Sequence, residues 1–136
     1  MIDTKELMLG NWVYEGELTQ FPMQVVGIGT DYVYLDFEGN EGDIWEERPE
    51  DIQGIPLTGE LLTKIGFIEC EPSLYQYQTE NIKVAIHLGT SLVRIEHDIA
   101  GIPLGKFYSY TIKYLHQLQN AFLLTTKQGL FVSTLM

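Results

Sequence analysis

The chain has 136 residues, with eight Lys or Arg against nineteen Asp or Glu, for a formal net charge of −11 at pH 7. One cysteine, Cys70, excludes an internal disulfide framework, and no apolar run approaches the roughly 18 residues that span a bilayer. Direct nucleic-acid binding is not expected, because that affinity comes from Lys and Arg displacing counterions.

A chain of this length buries roughly 68% of its unfolded surface and needs neither disulfide nor metal to fold. Met1–Leu9 carries Asp3 and Glu6 and lacks a basic, then apolar leader pattern, so a cytoplasmic protein with no membrane partner is expected. Residues 1–136 are expected to form one compact unit, with a β-rich sub-unit at 1–55 and an α+β sub-unit at 56–136.

In chain order, Asp3–Leu9 reads as a short amphipathic start, and Gly10-Asn11 punctuates it. Trp12–Tyr14, Met23–Ile28, Tyr32–Phe37 and Ile44–Glu47 read as strands, the last an edge strand carrying Trp45, with a turn at Gly39–Gly42. Pairing Ile28 with Val33 and Val26 with Leu35 puts both apolar sets on one face. These short strands predict a small curled antiparallel β-unit that resembles an SH3-like barrel.

Thr58 is placed to cap a helix over 59–65, with Glu60 in its first turn and Leu61, Leu62 and Ile65 as its apolar side. Gly66 and Phe67 then stand where a Schellman motif needs a left-handed residue and a hydrophobic contact. Leu74–Tyr77, Ile82–Leu88 and Ser91–His97 read as strands, and Gly89-Thr90 suits a two-residue type II′ turn. That turn opposes Ile86 to Val93 and Val84 to Ile95, with Lys83 facing Glu96 on the solvated side. Tyr108–Ile112 is expected as a further strand. The helix expected from Lys113 to about Lys127 has an apolar stripe of Tyr114, Leu115, Leu118, Ala121 and Phe122. Gly129 is expected to end it, and Leu130–Thr134 to add a last strand. The fold class is therefore α+β: the curled β-unit, then an antiparallel sheet with two helices, the longer near the C-terminus.

The heptapeptide Asp-Ile-x-Gly-Ile-Pro-Leu occurs twice, at Asp51–Leu57 and Asp98–Leu104. Proline fixes its own φ and extends the residue before it, and Gly54 and Gly101 allow the chain to turn, so both copies are expected at strand exits.

Few residues carry a chemical signature. His97 falls opposite Ile82 on the inner face and His87 opposite Leu92 on the outer one, on the order of 16 Å apart along the hairpin. They cannot share a metal, Cys70 has no partner at a recognised spacing and reads as an inert buried thiol, and neither metal nor other cofactor is expected. No phosphate loop occurs. Tyr75, Tyr77, Tyr108 and Tyr110 read either as core or as a semi-exposed aromatic surface. His116 and Asn120, one helical turn apart on the polar side, could hold a polar ligand or move a proton beside an acidic group such as Asp98. Between Asp31 and Glu60 ten acidic residues stand against Arg48 alone, which makes Glu46, Glu47 and Glu50 candidate contacts for a basic partner.

Asp51–Thr58 running on to Leu61–Phe67, together with Tyr114–Thr125 and Leu9–Val13, is similar to the "IPLT…LL.KLGF", "YVHQLQNLYFALTG" and "RIGNYV" stretches of one family. These are small uncharacterised proteins of Bacteroides-type gut bacteria and of their phages and mobile elements. Here Thr126-Lys127 stands where that family has a glycine after the helix. The resemblance implies a setting and transfers no activity, cofactor or site residue. The expected function is a non-enzymatic protein that binds another macromolecule, as a phage or mobile-element accessory. Two alternatives stand beside it: a small-molecule site or enzyme with a polar cleft near His116 and Asn120, and an acidic decoy or regulator of a basic nucleic-acid-binding protein.

Overall fold

A computed structural model describes residues 2–16, 21–37, 44–109, 111–130 and 132. They form two antiparallel five-stranded sheets and two α-helices, the longer near the C-terminus, which is the α+β class expected. The chain divides into two compact units, one built on the sequence up to Pro56 with Tyr114–His116, the other on Leu57–Lys113 and the chain from Gln117.

In the first unit β1 (Trp12–Tyr14), β2 (Pro22–Ile28), β3 (Val33–Asp36), β4 (Trp45–Glu47) and β5 (Gln53–Gly54) lie in the order β4-β3-β2-β1-β5. A 3-10 turn at Pro49–Asp51 brings the chain from β4 to β5, which pairs with β1. Ile2, Leu7, Val13, Met23, Val25, Val33, Leu35 and Ile52 make its core. The β2–β3 register departs from expectation. Ile28 does pair with Val33, but a bulge between Val25 and Gly27 makes Val25, not Val26, the partner of Leu35. A Cβ on Gly27 would come within 3.1 Å of the Tyr34 ring, so the glycine lets the bulged strand lie against it. Val26 and Ile28 consequently stay exposed while Met23 and Val25 are buried. The expected turn at 39–42 lies outside the described residues.

The second unit opens with α1 (Gly59–Lys64), and the local signals are realised there. Leu61 N donates to Thr58 Oγ1 at 3.1 Å, closing the N-terminus. At the other end Gly66 N bonds Thr63 O, Phe67 N bonds Leu62 O, and Gly66 has a φ of 109°, a Schellman motif with Leu62 and Phe67 both buried. A meander follows: β6 (Ile68–Glu71), β7 (Leu74–Gln78), β8 (Ile82–His87), β9 (Leu92–Ile99) and β10 (Ile102–Ser109), in sequential order. The β8–β9 register agrees with the sequence reading throughout, from Ile82↔His97 to His87↔Leu92, with Lys83 opposite Glu96. The connecting turn does not. It spans 88–91, and the left-handed residue is Ser91 (φ 57°), not Gly89, while His87 Nδ1 accepts from Thr90 N at 3.3 Å.

In this sheet two strands differ from expectation. β6 is exposed along its whole length, Ile68 included, and β10 begins inside the second heptapeptide. Ile102-Pro103 is therefore a strand entry, and Ser109 ends the strand expected to run to Ile112. Ala100 and Gly101 (φ 52° and 80°) form the two-residue turn between Ile99 and Ile102. Pro103, a register shift before Gly105 and the exposed Lys106 lie along β10, one outer strand of this sheet. The other outer strand, β6, has its own shift between Glu69 and Glu71.

The two heptapeptide glycines do different work. Gly101 needs its positive φ, and nothing lies within 4 Å of the Cβ it lacks. Gly54 has no such φ; a Cβ there would stand 2.7 Å from the Tyr114 ring. Gly54→Ala is expected to cost about 1–3 kcal/mol by overpacking, readable as a lowered urea midpoint. An unchanged midpoint would show that the Tyr114 ring yields freely.

The chain enters α2 (Leu115–Thr126) through a bridge between Pro56 and Tyr114, and Leu115 N bonds Ile55 O at 2.8 Å. Leu115, Leu118, Ala121 and Phe122 are buried as the stripe requires, and Tyr114 is partly exposed. The residue in the left-handed conformation after the helix is Lys127 (φ 62°), not Gly129. Thr126 Oγ1 supports that end, donating to Phe122 O at 2.7 Å and accepting from Gln128 N at 3.2 Å. Leu130 and Val132 are not in a strand, and the rest of 130–134 lies outside the described residues.

Candidate functional site

The charge is segregated. The sequence up to Pro56 has thirteen acidic residues against Lys5 and Arg48, a net −11, whereas the rest has six of each sign and balances. The whole net charge of the protein thus belongs to the first unit.

Within that unit the three expected glutamates do not share a face. Glu46 pairs with Tyr34 on the exposed side of β3–β4, and Glu47 pairs with the buried Val33 on the core side. Strand alternation imposes this separation on adjacent residues. Glu50 sits in the 3-10 turn, its Oε1 3.9 Å from Arg48 Nη1. Partial burial pushes the Glu47 carboxyl above its ordinary value of 4.5, reinforced by the charge of and a hydrogen bond to Glu15, and by the charge of Asp51. The fold therefore holds a proton that the unfolded chain releases, and its stability falls as pH rises through the raised folded value. Glu47→Gln should raise the thermal midpoint at about pH 7 and leave it unchanged near pH 4. A difference constant across that range would show that Glu47 is not the group being charged.

Between the β2–β3 turn and the 3-10 turn lies an open depression of about 360 Å³ lined by Asp31, Tyr32, Arg48 and Glu50. Gly29 N bonds Tyr32 O at 2.8 Å and closes the turn that presents Asp31 and Tyr32. Tyr32 is 37% exposed, and on the neighbouring edge strand Trp45 is 47% and the adjoining Ile44 54% exposed. The edge position of Trp45 was legible in the sequence, and β4 is an outer strand of this sheet.

His116 is not on the polar side of α2. The helix's first turn is docked through the Ile55–Leu115 bond, and the His116 side chain is 2% exposed, its ring 5.9 Å from that of Tyr114 and 18° from parallel. Neither ring nitrogen has a hydrogen-bond partner among the described residues, and Nε2 lies 3.9 Å from Glu6 Oε1, too far for one. Burial pushes the imidazole below its ordinary 6.5, and Glu6 partly opposes this. Glu6 takes the place sketched for Asp98, which is exposed on β9 opposite Pro103. Asn120, one turn further along α2, is half-buried.

The remaining candidates disperse. His97 is buried with Nε2 unpartnered among the described residues, while His87 is bonded to Thr90. Cys70 is exposed, like the rest of β6, with Sγ 3.3 Å from Gln76 Oε1. Tyr75 and Tyr77 face inward, Tyr77 against Phe67 and Phe122, whereas Tyr108 is exposed opposite Arg94; Tyr110 lies outside the described residues. Among the described residues no group of three or more His, Cys, Asp or Glu could hold a metal ion, and no helix is long and apolar enough to cross a membrane. Comparison with known proteins identifies no relative: no family model, no curated protein and no solved structure matches the chain.

Proposed function

We propose that the protein binds a basic macromolecular partner through its first unit and performs no chemistry of its own. The observation carrying this reading is the confinement of the entire −11 charge to the unit that also exposes Trp45 and Ile44. An acidic field speeds encounter with a cationic surface, and an exposed tryptophan is the kind of anchor on which interface energy concentrates. A basic protein, including one that binds nucleic acid, fits this chemistry, and the phage or mobile-element setting of the resemblance accommodates such a role.

The test uses a panel of Lys- and Arg-rich peptides with interspersed apolar residues, titrated at several ionic strengths. Affinity should fall steeply with salt, because exposed charges are screened over about 8–10 Å. Glu46→Gln with Glu50→Gln should weaken binding further, and Trp45→Ala should cost tenfold or more, about 1.4 kcal/mol, without loss of secondary structure. Binding insensitive to salt and to Trp45 would defeat the reading.

A further inference from the structure

We infer that the depression between the β2–β3 turn and the 3-10 turn is a guanidinium site, which takes an arginine side chain of the partner, and that Arg48, in its lining, competes for the same carboxylates until the partner arrives. The inference rests on the reading of the first unit as a surface for a basic partner, and it names the group recognised. The lining is one aromatic ring, two carboxylates and one cation: Tyr32, Asp31, Glu50 and Arg48. Carboxylates with a half-exposed ring match a planar, delocalised cation, which takes paired oxygens at its edge and an aromatic face beneath it.

Arg48 already has the required chemistry but is loosely held. Its Nη1 is 3.9 Å from Glu50 Oε1, beyond hydrogen-bond distance, and the two side chains are 65% and 54% exposed. It stands at the head of the 3-10 turn, where its side chain makes no capping bond to the backbone. Such an exposed pair contributes little, so an incoming arginine displaces it readily. The turn carrying Asp31 and Tyr32 is closed by its Gly29–Tyr32 bond, so one wall is preformed while Arg48 opposite is loosely held. At about 360 Å³ and open to solvent, the depression has room for one long side chain with water, still attached to a larger partner.

The test needs no identified partner. Nα-acetyl-arginine amide is titrated against the whole protein and followed by NMR shifts of residues 29–32 and 48–51. The uncharged citrulline and the lysine analogues serve as comparisons. Arg48→Gln, which removes the competing cation from the lining, should tighten binding of the arginine probe by about tenfold relative to the unmodified protein. Adding Asp31→Asn to Arg48→Gln should remove that gain, citrulline should not bind, and lysine should bind more weakly than arginine. Circular dichroism confirms that each variant is folded. Arginine binding weakened or unchanged by Arg48→Gln overturns the inference, as does binding indifferent to Asp31 or equal for citrulline. If these fail while the basic peptides still bind with steep salt dependence, the guanidinium site falls and the first unit remains a basic-partner surface. If the peptides also fail to bind, both readings fall.

Discussion

Phe122→Ala is expected to destabilise the protein by about 3–5 kcal/mol, and Leu118→Ala by about 2–5 kcal/mol. Both side chains are essentially enclosed, at 3% and 0% exposure, and the Phe122 ring packs edge-on to Tyr77 with centroids 6.3 Å apart. Truncation forfeits the gain from keeping those apolar atoms out of water and leaves a cavity that close-packed surroundings fill only in part. A domain of this size is stable by only about 5–15 kcal/mol, so either variant should shift the urea midpoint far enough to populate unfolded chains in buffer. Leu124, on the same helix and 61% exposed, is the control, and its alanine variant should stay within about 0.5 kcal/mol of the parent. A Phe122→Ala midpoint as close to the parent as that of Leu124→Ala would mean that α2 does not pack on its stripe.

His116→Leu is expected to act in the opposite direction and raise stability by about 1–3 kcal/mol at neutral pH. The ring is buried with both nitrogens unpartnered among the described residues, and leucine is apolar and of similar volume. The sign with pH follows from the depressed folded value. The unfolded chain takes up a proton near 6.5 while the fold still excludes it, so stability falls as pH drops through 6.5 and levels off below the folded value. His116→Leu removes that loss, and its advantage over the parent should widen between about pH 7 and pH 5. A leucine variant less stable than the parent would show that the nitrogens are satisfied by a bound group and that the histidine is structural.

Legibility followed the range of the interactions. The cap at Thr58 and the Schellman end at Gly66-Phe67 are complete within a few residues, and they appear as read. The β8–β9 register was equally accessible, since alternation on two adjacent strands leaves one pairing that buries Val84, Ile86, Val93 and Ile95. The failures have long-range causes. The bulge at Val26 depends on Gly27 lying against Tyr34 across the hairpin, and β10 was hidden because Pro103 and Gly105 are breakers everywhere except on an outer strand. Turn glycines misled twice, with Ser91 and Lys127 taking the left-handed conformation in place of the nearby Gly89 and Gly129. Of the candidate residues, Glu46 and Glu50 were legible as exposed acids, but the pairing of Glu47 with Val33 needs the register, and the approach of Glu6 to His116 joins opposite ends of the chain.

The margins of the second unit's sheet bear on how copies of the protein behave when concentrated. Growth of a fibre by strand addition needs a flat margin whose donors and acceptors repeat without interruption, so that each arriving chain offers the same margin to the next. On β10, Pro103 removes a donor and the shift before Gly105 breaks the spacing; on β6 the shift at Cys70 does the same between two glutamates. A neighbour approaching from either side meets a broken template within four residues. Pairing of backbone between copies through this sheet is therefore opposed at both margins, and the ladder stops at the fifth strand.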